Sequence, residues 1–368
     1  MSAQDENKPH VVVVGGGIVG ASIAWHLTRQ NASVTIVASD LGGTATPNSF
    51  AWLNASRHNP RFYYDLRRRS MVRWRELADE VPGLKDLVQW CGTVEWDLSR
   101  DELANYEKQH SAWGYDIHRA EHKEIAEREP YLSEDVIPEW GLRIGEEGAV
   151  EAADAASLLI AQAEAQGARV LSTTVTNITK SENSIHGVTT ASGENLSADH
   201  VVLAAGVGST ELCTSVGVTL PVTGRSGLLV HSKPVAHRIL NGLIISDGPH
   251  MRQTAAGRVV AGAGFAGGDP GEDPQVTSDK LFAKVKGMFK PEANGVDTLE
   301  LDFFTVGYRP TPLDGLPILG ASGLKGLTLA VMHSGVTLAA IVGEVLADEI
   351  VHGTKDPALD AFALSRFN

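Results

Sequence analysis

The stretch Val11–Leu27, VVVVGGGIVGASIAWHL, runs four β-branched valines into three glycines and then changes its apolar spacing. The continuous run from His10 to Val14 reads as a strand buried on both faces. From Ile18 to Gln30 the apolar positions Ile23, Ala24 and Leu27 share one face of a helix. ASVTIVASD, Ala32–Asp40, reads as a second strand, which completes a βαβ unit of about 30 residues. Gly15, Gly17 and Gly20 stand between strand and helix in Gly-x-Gly-x-x-Gly spacing. In this geometry the first glycine makes the tight turn, the second admits a pyrophosphate to the backbone, and the third lets the helix lie close to the strand. The helix start adds unpaired N–H groups and a partial positive charge. The reading is a dinucleotide site; a glycine turn without a ligand is the alternative.

The same fingerprint wants an acid at the end of the second strand, to hold the ribose hydroxyls. Ala38 stands there, followed by Ser39 and Asp40. The ribose contact falls to Ser39 or Asp40, or to backbone and water. No arginine of the NADP type is present at this point.

The rest of the chain sets the bounds. Its 368 residues suggest two structural units, and 43% hydrophobic with 21% charged residues is an ordinary globular balance. A net charge of −14 argues against nucleic acid or an anionic membrane surface as partner. Two cysteines, Cys91 and Cys213, suggest neither a disulfide framework nor a metal site. The opening MSAQDENKPH lacks the basic and apolar parts of a signal peptide, and no apolar run reaches the roughly 18 residues of a membrane span. A cytoplasmic protein with a loose first segment is expected.

Beyond Gly43 comes a small-residue and polar loop, TATPNSFAWLNASRHNP, and then a helix over Arg61–Val81. Trp90, Trp96, Trp113 and Trp140 suggest core packing rather than a substrate wall. Ala153–Gln166 reads as an alanine-rich helix ended by Gly167. ARVLSTTVTNITKS and SIHGVTTAS read as strands, and HVVLAAG, His200–Gly206, as a buried strand ending in glycine. Leu220–Phe265 reads as β with a hairpin turn at Ala255–Gly257, and Lys280–Phe289 as a helix. GYRPTPLDGLPILG, Gly307–Gly320, reads as proline-rich turns after a strand. MHSGVTLAA, from Met332, puts a turn before a last helix.

The glycine loop, Gly42-Gly43-Thr44 after the second strand, the VVLAAG strand and the MHSGVT turn, in that order and spacing, resemble the FAD-dependent D-amino acid oxidase superfamily. That superfamily includes glycine, sarcosine and fructosyl amino acid oxidases. The resemblance implies an α/β protein: a discontinuous Rossmann-like FAD-binding domain (1–50, 145–215, 305–368) and an α+β substrate domain with a mainly antiparallel sheet (51–144, 216–304). It implies pyrophosphate binding at Gly15, Gly17, Ile18, Val19 and Gly20. For the ribose, Ser39 or Asp40, or backbone and water, stay open. Thr44, Asn48, Ser49, Phe50, Ala51 and Leu53 line the path of the ribityl chain and isoalloxazine, Val175 clasps adenine, and Ala205 and Gly206 complete the second glycine strand. Gly307 stands in the arginine segment. His333, Ser334, Gly335, Val336 and Thr337 abut the flavin pyrimidine edge, where a helix start would stabilise developing negative charge; His333 either adds to it or is a turn residue bonded to backbone.

Arg309 matches the family's carboxylate clamp in a Gly-x-Arg-Pro turn; a structural pairing with an acid such as Asp314 is the alternative. His58, Tyr308, Asn54 and Arg252 are candidates for contact or tuning. With no cysteine near Thr305-Val306-Gly307, FAD is expected to be non-covalent. The implied chemistry is hydride transfer from a C–H beside an amine nitrogen to flavin N5, with hydrolysis of the imine. The substrate is an amino acid or N-substituted amino acid, and the electron acceptor is O2 or another molecule. A monomer or small oligomer is expected. A flavin hydroxylase and a non-catalytic FAD-binding subunit are the competing readings.

Overall fold

A computed structural model describes residues 8–57, 59–264, 267–291, 296 and 298–367. Its first sheet has six strands in the order Ile318–Ala321, Leu327–Val331, His200–Leu203, His10–Val14, Ser33–Val37, Arg169–Leu171. Every neighbouring pair is parallel except the first. Val11, Val12 and Val13 are fully buried at its centre, as a β-branched run flanked on both sides requires. From His10–Val14 the chain crosses first to Ser33–Val37 on one side and later to His200–Leu203 on the other. The crevice beyond the C-terminal end of His10–Val14 is thus a topological switch point, where open α/β sheets bind their ligands.

Three helices cover one face. Ile18–Arg29 packs against the last helix, Gly335–His352, and against the alanine-rich helix Ala152–Ala165. A Cβ at Gly343 would sit 2.3 Å from Ser22 Oγ, so the crossing with the first helix depends on that glycine. The helix Arg61–Glu80 lies along the last helix and is tied to its first turn. Ser70 Oγ donates to Thr337 O at 2.6 Å, and Trp74 Nε1 donates to Val336 O at 3.0 Å. Trp74 is fully buried, and truncating such a side chain costs about 3–5 kcal/mol.

The second large sheet has eight strands, in the order Leu301–Pro312, Val222–Ser232, Val259–Ala263, Pro249–Gln253, Leu243–Ile245, Thr93–Glu95, Trp140–Ile144, Ile117–Glu121. All its pairings are antiparallel except that of Leu243–Ile245 with Thr93–Glu95. Its core is separate from those on either side of the first sheet. The expected α/β class, with a parallel nucleotide sheet and a mainly antiparallel second sheet, is therefore present.

Four local expectations change. The segment Gly307–Pro312 is not a turn but the end of an edge strand, where proline costs no ladder bond to a second neighbour. That strand, which spans the residue 305 at which the FAD-binding domain was expected to resume, pairs within the eight-stranded sheet. The segment from Ala168 is two strands: Arg169–Leu171 joins the six-stranded sheet, while Val175–Ser181 pairs with Ser184–Thr190 in a three-stranded one. The helix expected from Lys280 begins at Pro274, because Asp273 caps it by accepting from Gln275 N and Val276 N. Among the described residues, no helix is long and apolar enough to cross a membrane.

Candidate active site

One cavity of about 530 Å³ runs from the switch point to the near face of the eight-stranded sheet, within the size range of cofactor and ligand sites. At its glycine end the walls are backbone. Gly15 has φ +116°, and a Cβ there would lie 2.4 Å from Ala204 O. A Cβ on Gly43 would lie 2.6 Å from Gly17 Cα, so the loop after the second strand sits directly on the glycine turn. Gly17 caps the first helix without a side-chain bond, and no acid stands in the first turn. Thr46 Oγ1 accepts from Ile18 N at 3.1 Å. A helix start with no cap from its own N-cap residue and no acid in its first turn, beneath a cradle that a Cβ on Gly15 or Gly43 would fill, fits a pyrophosphate.

Most of the expected cofactor residues line this one cavity. They are Gly15, Gly17, Ile18, Val19, Ser39, Asp40, Thr44, Asn48, Ser49, Phe50, Ala51, Val175, Ala205, Gly206 and the run His333–Thr337. Ser39 Oγ donates to Asp40 Oδ2 at 2.9 Å, so the two candidates for the ribose act as a pair. Ala51 adopts φ +58°, a conformation that costs a non-glycine residue about 1–3 kcal/mol, in the loop that lines the cavity.

Three expected residues stand behind the wall instead. A Cβ on Gly20 would fall 2.1 Å from Gly15 O, so this glycine serves the close packing of helix on strand. Leu53 is fully buried in the core. A Cβ on Gly307 would lie 2.8 Å from Asn48 O, so Gly307 lets the arginine strand press on the flavin loop.

At the opposite end the walls are side chains. Arg309 lines the cavity, and its Nη2 donates to Ser226 O at 3.2 Å. Asp314 is not its partner: that carboxylate is held by Arg366 at 2.8 Å. Among the described residues no carboxylate pairs with Arg309. Burial, aided by the neighbouring Arg225 charge, brings its guanidinium down to about 10, which still leaves it charged at neutral pH. Tyr308, 59% exposed, points away from the cavity, as alternation along a strand demands. Arg252 also lies outside it. Its Nη1 pairs with Glu151 at 3.1 Å and its Nε donates to Phe50 O at 2.7 Å, so it anchors the flavin loop. Asn54 lines the cavity. His58 lies outside the described residues. Trp90, Trp96, Trp113 and Trp140 do not line the cavity either.

Sequence reasoning missed several residues here. Arg67 is buried in the wall, and all its bonds go to neutral oxygens: Asn54 O at 3.0 Å, Asn54 Oδ1 at 2.6 Å, Ser334 Oγ at 2.7 Å and Tyr63 Oη at 3.3 Å. Among the described residues no carboxylate offsets it. A buried, uncompensated cation beside a helix start suits a partner that gains negative charge. Of the two readings of His333, the one in which it supplies that charge is not favoured. Burial, then the charges of Arg309, Arg67 and Arg225, hold its imidazole down at about 3, and it stays neutral.

His250 also lines the cavity, with Nε2 3.2 Å from Asp97 Oδ2. Asp97 continues to Arg57, whose Nε reaches buried Glu95 at 2.8 Å. Trp52, another wall residue, donates to Glu147 Oε2 at 2.9 Å, and Tyr115 bonds the other oxygen at 2.8 Å. Burial pushes the Glu147 carboxyl up to about 7. No local spacing signals these residues, which reach the wall from separate elements.

The family described as FAD dependent oxidoreductase matches residues 10–349 of the sequence. The chain belongs to this family. The cofactor that the cradle fits is FAD, and the resemblance noted from the glycine loop and its distant partners holds. The chain is 28% identical over 370 residues to the bifunctional protein ThiO/ThiG of Trichormus variabilis, spanning 97% of itself but only 55% of that longer protein. It is 27% identical over 373 residues to the glycine oxidase of Bacillus licheniformis, spanning 96% of each. The crystal structure of glycine oxidase from Geobacillus kaustophilus superposes with a TM-score of 0.84 at 24% identity, over 98% of this chain and 99% of that one, which is a likeness of fold.

Proposed function

We propose that this FAD-dependent oxidoreductase oxidises the C–N bond of an amino acid or N-substituted amino acid. The observation that carries the reading is Arg309: a charged guanidinium in the cavity wall with no carboxylate of its own among the described residues. Such a fork is suited to a substrate carboxylate and fixes it in two directions. Bound FAD would accept the hydride leaving the carbon beside nitrogen. The product is an imine, which water hydrolyses to an oxo acid and an amine or ammonia.

The protein's part is placement and charge. Arg309 holds the carboxylate. The last helix start and Arg67 put positive potential at a second part of the wall, where negative charge would develop. His333, being neutral, contributes a hydrogen-bonding ring beside Ser334 Oγ at 2.9 Å rather than a charge. No general base is required of the wall if the amine binds neutral. Neither Cys91 nor Cys213 lines the cavity, which supports non-covalent FAD. Their free thiols suit a reducing, cytoplasmic setting.

The test is anaerobic mixing of the holoenzyme with amino acids and with their decarboxylated amines. Bleaching of the flavin bands by the former alone supports the reading. Equal bleaching by both removes the clamp from it, and bleaching by neither removes the oxidation.

A further inference from the structure

Arg309 does not stand alone. The strand Leu301–Pro312 pairs antiparallel with Val222–Ser232, and in that register Arg225 lies directly opposite Arg309. Residues directly opposite in an antiparallel pair share a face, with Cβ atoms about 4.5–5.5 Å apart. Both guanidinium stems therefore leave the sheet on the side of the cavity. Arg309 lies in the wall, while Arg225 is exposed just outside it.

Like charges at directly opposed positions destabilise a sheet pair. The usual remedy is an intervening carboxylate. Among the described residues, neither arginine has one. Asp314, the acid nearest in sequence, is taken by Arg366 at 2.8 Å through one oxygen and 3.1 Å through the other. The two charges also act on the same place: each contributes to keeping His333 neutral. The mouth of the cavity is therefore a doubly cationic site without a protein counter-ion, and one carboxylate on Arg309 neutralises only half of it.

We infer that Arg225 and Arg309 together recognise a substrate with two carboxylates, one on each side of the amine nitrogen. The inference rests on the amino acid reading above and narrows it, from amino acids in general to N-carboxyalkyl amino acids. The inner carboxylate binds Arg309 and places the carbon to be oxidised. The outer one, on the nitrogen substituent, binds Arg225 at the mouth. Arg225 is thus a specificity residue: it touches the part of the substrate that does not react.

A matched pair of ligands that cannot be oxidised at nitrogen tests this on the holoenzyme. Thiodiacetate carries two carboxylates and (ethylthio)acetate one, with sulfur replacing nitrogen in both. Calorimetric titration should give a Kd at least tenfold lower for thiodiacetate. Arg225→Gln should shrink that ratio to less than threefold, and Arg225→Lys should keep part of it. Because Arg225 is exposed and its removal relieves repulsion, the Arg225→Gln protein should fold with an unchanged or higher Tm. A ratio near one in the wild type, or a ratio that survives Arg225→Gln, overturns the inference. The outcome separates from that of the broader reading. Preferential binding lost in the variant, with no flavin bleaching by any amine, leaves the dicarboxylate site standing without the oxidation. Bleaching by amino acids with an unchanged ratio leaves the oxidation standing without the second carboxylate.

Discussion

At the glycine end of the cavity, a Cβ on Gly15 would lie 2.4 Å from Ala204 O, and the nearest atoms around that glycine are main chain. At the arginine end the walls are Arg309, Arg67, His250 and Trp52, which come from four separate elements. One end offers N–H groups and a helix dipole that suit phosphate, which any sequence of small residues can supply. The other uses long side chains whose meaning depends on their neighbours. The first should therefore fail through shape and the second through charge, and each can be broken without the other.

The largest effect is expected from Gly15→Ala. The left-handed φ of +116° costs a non-glycine residue about 1–3 kcal/mol, and the clash with Ala204 O adds to it. The protein should lose FAD affinity by more than about 100-fold, equivalent to about 2.7 kcal/mol, and elute colourless from gel filtration.

Arg309→Gln should do the reverse. FAD content should stay at wild-type level, while kcat/KM for carboxylate substrates falls about 100-fold, the worth of one or two charged hydrogen bonds at about 1.5–3 kcal/mol each. Loss of flavin in this variant would mean that the two ends are not separable.

Arg67→Met divides the arginine end itself, because Arg67 bonds Ser334 at the start of the last helix. With the buried cation gone, reduced FAD loses a favourable charge, and the two-electron potential should drop by roughly 30–60 mV, or about 1.4–2.8 kcal/mol. A potential unchanged in a spectroelectrochemical titration would assign Arg67 to structure alone.

The smallest effect concerns Glu147, whose carboxyl sits behind Trp52. Its folded value, about 7, exceeds the ordinary 4.5 of an unfolded glutamate. The folded state thus holds the proton more tightly. That contribution is complete below pH 4.5 and is lost as pH rises through 7. Glu147→Gln should flatten the decline of Tm between about pH 4.5 and 7 while leaving the Tm near pH 4 within a few degrees. A decline that persists unchanged would place its cause elsewhere.

This division also explains what could be read in advance. The glycine turn, the first helix and the strand before them follow from contiguous spacing, so the switch point and most of the cradle were legible. Ser39 and Asp40 were named as alternatives and turn out to be hydrogen-bonded to each other. Arg309 was legible by its segment, though that segment is an edge strand rather than a turn, since proline is tolerated where no outer neighbour needs its N–H. Tyr308 and Arg252 were misplaced because a residue's neighbourhood in sequence does not tell which face of a strand it takes or which acid claims it. Tyr308 alternates away from Arg309, and Glu151, about 100 residues earlier, holds Arg252. Arg67 could have been suspected only as one of three consecutive arginines on an otherwise mixed helix. Nothing local marks it as the one turned inward. His333 was found, but its charge state follows from three arginines on other elements.

The central claim is that a carboxylate-bearing amine reduces FAD in this cavity through Arg309. The most direct measurement is the anaerobic visible spectrum of wild-type and Arg309→Gln holoenzyme during titration with a panel of amino acids, N-substituted amino acids and the matching amines without carboxylates. The account predicts that the flavin bands of the wild type bleach with carboxylate-bearing compounds only, and that the variant, equally yellow, needs about 100-fold more of them. Bleaching of both proteins at the same concentrations, or by none of the panel, would contradict it.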